Sequence, residues 1–416
     1  MKSYRYNVAL VYIYRLGMKV AVIGGGLVGL FTAYYLLKEG VEVVIYDMEP
    51  RGGRASENNA GLITPSFSAT PRISMFTLAK AVLGLGGFIR VSLLEVLRKP
   101  GWFFRIIRSY GRGDDVVKYL ALESLKLYLD FFEKEDIDVD LVRGVVAVFK
   151  DMKDAEELSR TAGGRVLDGK ELSEMGYIGM GGGVYVEHEI SINPLKLYRG
   201  LRRRVEELGG RIVVGDVLGV EEEGREPKVI LGSGKRGCDG VVIAAGSRSG
   251  DLCRSISYDP HVFPARGIVA LYDTAGEKVV LAPALLEDYG IGVAQHGSDT
   301  LRITGFFEII GHRVDGVQED LEELISTAKK HVRGLGSLRL RAFGMGFRPC
   351  TADLLPVIGR IPGTKNIYIA TGLCRLGVTM SPIAGIIVTS MILNLESPVK
   401  PVILNAVSPS RFIHRS

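Results

Sequence analysis

Glutamine is almost absent from this 416-residue chain, occurring only at positions 295 and 318, and asparagine is sparse. Amides are thermolabile side chains, so their scarcity predicts a protein suited to a hot habitat. Cysteine is scarce too. Cys238, Cys253, Cys350 and Cys374 make no C-x-x-C pair and no disulfide-like framework. That excludes a disulfide-stapled scaffold and predicts a reducing, cytoplasmic setting. Six scattered histidines offer no metal-ligand spacing, so no metal centre is predicted. No apolar run reads as long enough to span a bilayer. In residues 1–17 the apolar part is broken by tyrosine and arginine, and no small-residue cleavage site follows, unlike a secretory signal. MKVAVIGGG from Met18 reads as a natural beginning, which leaves 1–17 as an extension. Charge is not strongly one-sided either. A net charge of +5 does not by itself imply a nucleic-acid partner, and no nucleic-acid module is visible.

What is present is ample apolar material and one informative stretch. A hydrophobic fraction of 47% supports a large core, and the length predicts about two to three domains. VAVIGGGLVGLFTAYYLLKEGVEVVIYD runs from Val20 to Asp47. Val20 to Ile23 reads as a strand buried on both faces. Gly24, Gly26 and Gly29 then fit G-x-G-x-x-G, and Leu27 to Glu39 reads as a helix stopped by Gly40. A second buried strand follows and ends at Asp47, where a ribose-binding carboxylate belongs. The chemistry asks for each part: a tight turn, backbone close to a pyrophosphate, a helix packed tightly on a strand, and helix N–H groups facing phosphate. A dinucleotide site is predicted. Asp47 disfavours a ribose phosphate, and NAD and FAD both remain open at this point.

The same pattern of a buried strand ending in glycine recurs far downstream. It is found in CDGVVIAAGSRSGDL from Cys238 and in NIYIATG from Asn366, the latter followed by the apolar segment SPIAGIIVTSMILNL. The nucleotide domain is therefore expected to be assembled from separated segments, 18–90, 187–252 and 346–396. Residues 91–186 and 253–345, with alternating runs such as LVRGVVAVF and LRITGFFEI, are expected to form a substrate domain with a mostly antiparallel sheet. Residues 397–416 are left as a C-terminal tail. The fold class is α/β with α+β elements, a Rossmann-like domain joined to that second domain.

Taken in order, GGGLVGLFTAYYLLKEGVEVVIYD, SENNAGLITP, ISINPLKL, VVIAAGSRSGDL, PARG, GFRPCTADLLPVIG and NIYIATGLCRLGVTMSP resemble the D-amino-acid oxidase-like flavoprotein superfamily. That group includes glycine and sarcosine oxidases and bacterial D-amino-acid dehydrogenases, and SENNAG looks most like the dehydrogenase branch. The resemblance covers Met18 to about Leu395. It implies FAD, held non-covalently: in sarcosine oxidases the attachment cysteine aligns nearer Gly346 than Cys350. It implies that Gly24, Gly26, Leu27, Val28, Gly29 and Asp47 hold the ADP part. Ser56, Asn59, Ala60 and Gly61 would pass near the pyrophosphate or ring, and the backbone of Val217 would meet adenine. Ala245 and Gly246 would line the flavin. Gly372, Leu373, Cys374, Leu376, Gly377, Val378 and Thr379 would offer backbone N–H groups to the pyrimidine end of the ring, where positive dipole stabilises developing negative charge.

In GFRP, Arg348 matches the arginine that grips the substrate carboxylate in related enzymes, and it counts also among the residues bordering the cofactor. A planar guanidinium binds a carboxylate through two parallel hydrogen bonds and so fixes orientation as well as charge. The bland reading is a structural salt bridge with Asp353. Tyr185, His188, Tyr289, His296 and Leu373 are further candidates for the substrate pocket, His296 being the most tempting base. Arg302 and Glu308 read as a cross-sheet pair. Where the family often has TGHGTLGWT, this chain has TGLCRLGVT, with a more apolar pocket edge and an added Arg375. Cys374 reads as a small buried hydrophobe rather than a redox thiol.

The activity implied is an FAD-dependent dehydrogenase of a D-amino acid of the D-proline or D-alanine type, with hydride passing from Cα to flavin N5 and electrons leaving to a quinone or dye. The competing readings are an oxidase of glycine or sarcosine type that makes peroxide, and a non-catalytic flavoprotein or electron-transfer subunit. Residues 72–112 hold eight basic residues and one acid, Glu95, interleaved with large apolar side chains. A helical pair with a wet basic face and a peripheral contact with an anionic membrane surface are both open readings of that segment.

Overall fold

Short runs of β-branched residues, each ending in a glycine turn and followed by an apolar helix, make a parallel sheet covered by helices. The computed structural model describes residues 17–48, 53–67, 75–85, 87–108 and 113–413. The expected extension at 1–17 therefore lies, except for Gly17, outside the described residues, as do positions 72–74, 86 and 109–112 of the basic segment.

Two compact units divide the chain. The first comprises the described residues of Met1–Pro50, Tyr198–Phe263 and Pro349–Ser416. Its six-stranded sheet has the order Val357–Arg360, Ile367–Thr371, Gly240–Ile243, Lys19–Ile23, Glu42–Asp47, Arg211–Val214. Neighbours are parallel except at the Val357–Arg360 edge, whose partner is antiparallel. All but the first residue of the 19–23 strand is buried, as a central parallel strand requires. Helix Leu27–Lys38 packs on helix Gly377–Ile392. A Cβ at Gly385 would lie 2.8 Å from the Thr32 backbone nitrogen, so the two helices approach almost backbone to backbone. The span Cys374–Ile392 is long and apolar enough to cross a membrane by length and composition, contrary to the expectation that no segment is. It is 72% buried within the protein, as a core helix is. A separate three-stranded antiparallel sheet is formed by Val217–Glu223, Glu226–Leu231 and Gly234–Gly237.

The second unit comprises the described residues of Arg51–Leu197 and Pro264–Arg348. Its main sheet runs Arg339–Thr351, Val262–Asp273, Thr300–Ile309, Ile291–His296, Ala284–Leu286, Val142–Phe149, Gly182–Ser191, Leu62–Ile63. It is mostly antiparallel, as the alternating runs predict, with parallel pairing between 284–286 and 142–149 and between Ile89–Val91 and 307–309.

The unit boundaries differ from the sequence expectation. Residues 53–67, the described part of 75–90, 187–197 and 346–348 fall in the second unit, and 253–263 and the described part of the supposed tail fall in the first. The tail helix Pro401–Val407 buries Ile403 and Val407, and Arg411 pairs with Asp353 through its Nε and Nη2 at 2.7 and 3.2 Å. A second correction concerns cysteine. Cys350 and Cys374 form a disulfide. The 24-residue separation hides it in the sequence; the backbones at Cys350 and Leu373 meet in an isolated antiparallel bridge. Cysteine usage thus ceases to argue for a reducing compartment. The two free cysteines are buried or half-buried, and burial pushes the Cys238 thiol up to about 11 and the Cys253 thiol up to about 12.

Candidate active site

In the first unit three separated segments converge on the carboxyl ends of the parallel strands, the place where open α/β sheets bind ligands. Gly24 follows the first strand with φ +110°, a conformation that side chains resist. Its N–H donates to the Tyr46 carbonyl oxygen at 2.8 Å. A Cβ at Gly29 would overlap the Gly24 carbonyl oxygen, so only glycine lets the helix sit this close to the turn. Gly26 is the N-cap of that helix, with Leu27 and Val28 in its first turn. No acidic side chain occupies that turn, so its N–H groups and dipole meet no carboxylate of their own helix.

Asp47 ends the neighbouring strand, is buried, and accepts a hydrogen bond from the Gly25 N–H at 3.0 Å. A Cβ at Gly25 would stand 2.7 Å from that carboxylate, so the turn is shaped around it. Ala245 and Gly246 follow the 240–243 strand, and the Gly246 carbonyl oxygen accepts from the Thr371 hydroxyl at 2.9 Å. The Ser249 hydroxyl, three residues on, is buried with no partner among the described residues. Sequence reasoning passed over Ser249; its place just after Ala-Ala-Gly was the available signal.

The third segment starts at Gly372 with φ +79°. Leu373 is buried, Cys374 to Leu376 form a tight turn, and helix 377–392 begins at Gly377 with no acidic residue in its first turn. Gly377, Val378 and Thr379 therefore present a helix N-terminus. Val217 begins the separate antiparallel sheet, half-buried, paired with Leu231. Glycine turns that a Cβ would fill, a buried carboxylate at the strand end and an acid-free helix start suit a dinucleotide such as FAD.

The second unit carries the other named residues. Arg348 is half-buried. Its guanidinium donates to the Phe306 carbonyl oxygen at 2.7 Å and to the Arg266 carbonyl oxygen at 3.4 Å. Asp353 pairs with Arg411. Two features make room for Arg348. A Cβ at Gly267 would lie against the guanidinium, with its carbon only 2.5 Å away. Phe306 has φ +66°, inside a register shift between the 262–273 and 300–309 strands that includes Gly267. Strained backbone and bulges of this sort mark sites where a group must be aimed. Phe306 and Gly267 were missed in the sequence; the glycine of PARG was the available signal.

Arg266 also belongs to an ionic network that is buried at Arg266, Glu308 and Asp320 and reaches solvent at Glu323. Arg266 donates to Glu308 at 2.7 Å and to Asp320, and Arg90 pairs with Asp320, Glu308 and Glu323. Glu308 thus pairs with Arg266 and Arg90 rather than with Arg302. Arg302 instead donates to the carbonyl oxygens of Glu57 and Asn59, at 2.9 and 3.2 Å. It is buried, which lowers its pKa to about 10, and its Nε has no partner among the described residues.

The loop that Arg302 grips is further knitted by its own asparagines. The Asn59 side chain accepts from the Gly61 N–H at 2.8 Å and donates to the carbonyl oxygens of Ala55 and Ser56. Asn58 donates to the Met345 carbonyl oxygen at 2.8 Å. Ser56, Asn59, Ala60 and Gly61 are thereby held in one fixed shape.

Of the remaining candidates, His296 stands beside this loop: a Cβ at Gly61 would lie 3.2 Å from its ring. His296 is buried and shares a hydrogen bond of 2.9 Å with the Ser191 hydroxyl. Burial, then the nearby Arg302 charge, pushes its pKa down to about 3, so it is neutral and a poor proton acceptor at neutral pH. Tyr289 packs against His331, the rings tilted and 4.4 Å apart, with the Lys150 ammonium over the tyrosine ring. It precedes the 291–296 strand whose far end is His296, a separation of roughly 17 Å or more along the strand. Tyr185 lies mid-strand in 182–191, its ring packed over Gly144. His188 is exposed, 3.2 Å from the Ser66 hydroxyl.

A model of the family described as FAD dependent oxidoreductase (DAO) matches residues 19–391. Glycine oxidase of Bacillus licheniformis is 25% identical over 95% of this chain and 98% of its own length. D-amino acid dehydrogenase of Cereibacter sphaeroides is 27% identical over 88% of this chain and 89% of its own length. Among solved structures, glycine oxidase from Geobacillus kaustophilus superposes with a TM-score of 0.72 at 20% identity, covering 95% of this chain and 100% of its own.

Proposed function

The chain belongs to the DAO family of FAD-dependent oxidoreductases, and on that premise we propose that it is a dehydrogenase of a small D-amino acid, of the D-proline or D-alanine type, passing its electrons to a quinone or dye. FAD, when bound, supplies the two-electron acceptor for the Cα–H hydride. Gly24, Gly26, Gly29 and Asp47, with Ala245, Gly246 and the 372–379 segment, would hold it.

The observation that carries the substrate claim is the setting of Arg348. Its guanidinium is seated over Gly267 and aimed by the strained Phe306 carbonyl. Such a group binds a carboxylate through a fork and orients the rest of a small substrate. The neutral, hydrogen-bonded His296 does not serve as a general base in this proposal; a substrate amine that is already neutral needs none. Similarity to a D-amino acid dehydrogenase at 27% identity supports the same class of substrate.

The test is anaerobic. D-proline, D-alanine, glycine and sarcosine are added in turn to the purified yellow protein, and bleaching of the flavin bands is followed. Arg348→Ala is expected to lose about 3 kcal/mol of transition-state binding, near a hundredfold in kcat/KM, with flavin still bound. Arg348→Lys should recover part of this, because it keeps charge but not the fork. Unchanged kcat/KM in Arg348→Ala would remove the carboxylate clamp. A second reading, an oxidase of glycine or sarcosine type, is favoured by the 25% identity to a glycine oxidase over almost both whole chains. Fast reoxidation of the reduced protein on admitting air, with peroxide formed, supports the oxidase; slow reoxidation with fast dye reduction supports the dehydrogenase.

A further inference from the structure

Six of the seventeen exposed large apolar side chains among the described residues fall within residues 83–104, which makes that stretch the apolar concentration of the surface. They are Leu83, Leu85, Leu93, Leu94, Leu97 and Phe104, each more than half exposed. Isolated exposed leucines are ordinary; a concentration of them marks an interaction surface.

The local structure shows that this exposure is built in. Helix Leu93–Arg98 is inverted: its acid, Glu95, is buried and pairs with Arg98 at 3.0 Å, while Leu93, Leu94 and Leu97 face outward. The next helix, Pro100–Arg108, anchors itself through buried Trp102, Phe103 and Ile106. It turns Phe104 out, with the Arg108 guanidinium 5.1 Å from that ring. The stretch is not loosely attached. Strand 89–91 pairs with 307–309, and the Ser92 N–H donates to the Ile309 carbonyl oxygen at 3.0 Å.

Charge selects the occupant. Between residues 79 and 108 the basic residues are Lys80, Arg90, Arg98, Lys99, Arg105 and Arg108, and the only acid is Glu95. Arg90 belongs to the ionic network with Asp320 and Glu323 and Arg98 pairs with Glu95, so the charge that the stretch adds beyond these pairs, on Lys80, Lys99, Arg105 and Arg108, is positive. A second copy docked on this face would set cations against cations. Nucleic acid would match the charge but offers nothing to outward leucines. A surface combining anionic phosphates with an apolar layer beneath matches both. We propose that residues 80–85 and 87–108 form a docking surface for an anionic lipid bilayer, with Leu83, Leu85, Leu93, Leu94, Leu97 and Phe104 entering the boundary of headgroups and acyl chains and the flanking Arg and Lys side chains meeting lipid phosphates. This proposal goes beyond the catalytic one and does not depend on the substrate. Its consequence is that a lipid-soluble quinone becomes the accessible electron acceptor.

The experiment is co-sedimentation of the flavin-loaded protein with vesicles of phosphatidylcholine alone and of phosphatidylcholine mixed with phosphatidylglycerol, at low and high salt. Binding is expected on the anionic vesicles, weakened by salt, and at least about tenfold weaker on the neutral ones. Leu94→Glu/Leu97→Glu and Lys99→Glu/Arg108→Glu should each lower the affinity about tenfold or more. Both variants should keep wild-type thermal stability and substrate-driven flavin bleaching, which separates this test from any failure of the substrate reading. Equal binding of the variants would overturn the proposal, as would absence of binding to anionic vesicles. So would a dimer in sedimentation velocity that Leu94→Glu/Leu97→Glu dissolves, or retention on nucleic acid in place of vesicles.

Discussion

A single side chain in the second unit carries a measurable penalty. Glu189 is fully buried on the 182–191 strand, where one carboxylate oxygen accepts from the Ser66 N–H at 2.7 Å and the other has no partner among the described residues. Burial raises its pKa from 4.5 to about 7. The folded state therefore binds this proton more tightly than the unfolded chain. Below pH about 4.5 both states hold the proton and Glu189 has no effect; as pH rises toward 7 stability falls, and above 7 the full cost of about 3 kcal/mol is present. Glu189→Gln should flatten that part of the profile and be the more stable protein above pH 7. Guanidinium unfolding midpoints between pH 4 and 8 decide it: parallel profiles for the two proteins would refute the assignment. Nothing in VEHEIS marked Glu189, because a carboxylate at an alternating position reads as solvent-facing until the sheet is known to be covered there. Arg302 is the same lesson with the opposite charge. It looked like half of a cross-strand pair with Glu308, but its partners are loop carbonyls more than two hundred residues earlier in the chain.

Among the elements, the turn at 372–376 depends on something that spacing could not show. The Cys350–Cys374 disulfide closes a 24-residue separation and ties this turn to the end of the strand that carries Arg348 two residues before Cys350. By the chain-entropy argument a loop of this length contributes about 3 kcal/mol. Cys350→Ser/Cys374→Ser should melt several degrees lower than wild type, and wild type treated with a thiol reductant should approach it. Because the turn leads into the helix whose N-terminus is assigned to the flavin, the double variant should also bind added FAD more weakly in fluorescence titration of the apoprotein. Unchanged melting and unchanged FAD affinity would mean that the turn is already held by the Cys350–Leu373 backbone bridge. The glycine turn at 24–29 was readable because strand, turn, helix and carboxylate all lie within one short span of sequence. The disulfide and the Phe306 bulge were not, since each is made by residues that only the folded sheet brings together.

At the scale of the whole molecule, the chain enters the first unit three times, and this much was legible because each entry brings a buried strand ending in glycine. The boundaries were less legible. SENNAG follows the nucleotide motif closely in sequence, yet Arg302 and the Asn58–Met345 bond hold it in the second unit. The three-segment construction has a thermodynamic consequence. FAD bound by residues 24–47, 245–246 and 372–379 would join parts of the first unit that the chain itself connects only through the second. Ligand that binds only the folded state stabilises it in proportion to the logarithm of its concentration, by about 2.7 kcal/mol at a hundred times Kd. Removing flavin should therefore lower the melting temperature by several degrees, and adding FAD back should restore it in a concentration-dependent way. Asp47→Ala deletes the buried carboxylate beside the Gly25 N–H, so this variant should need roughly tenfold or more FAD for the same rise. If the apoprotein melts at the same temperature with and without FAD, the three segments do not hold the cofactor together, and the assignment of Asp47 to its ribose fails with them.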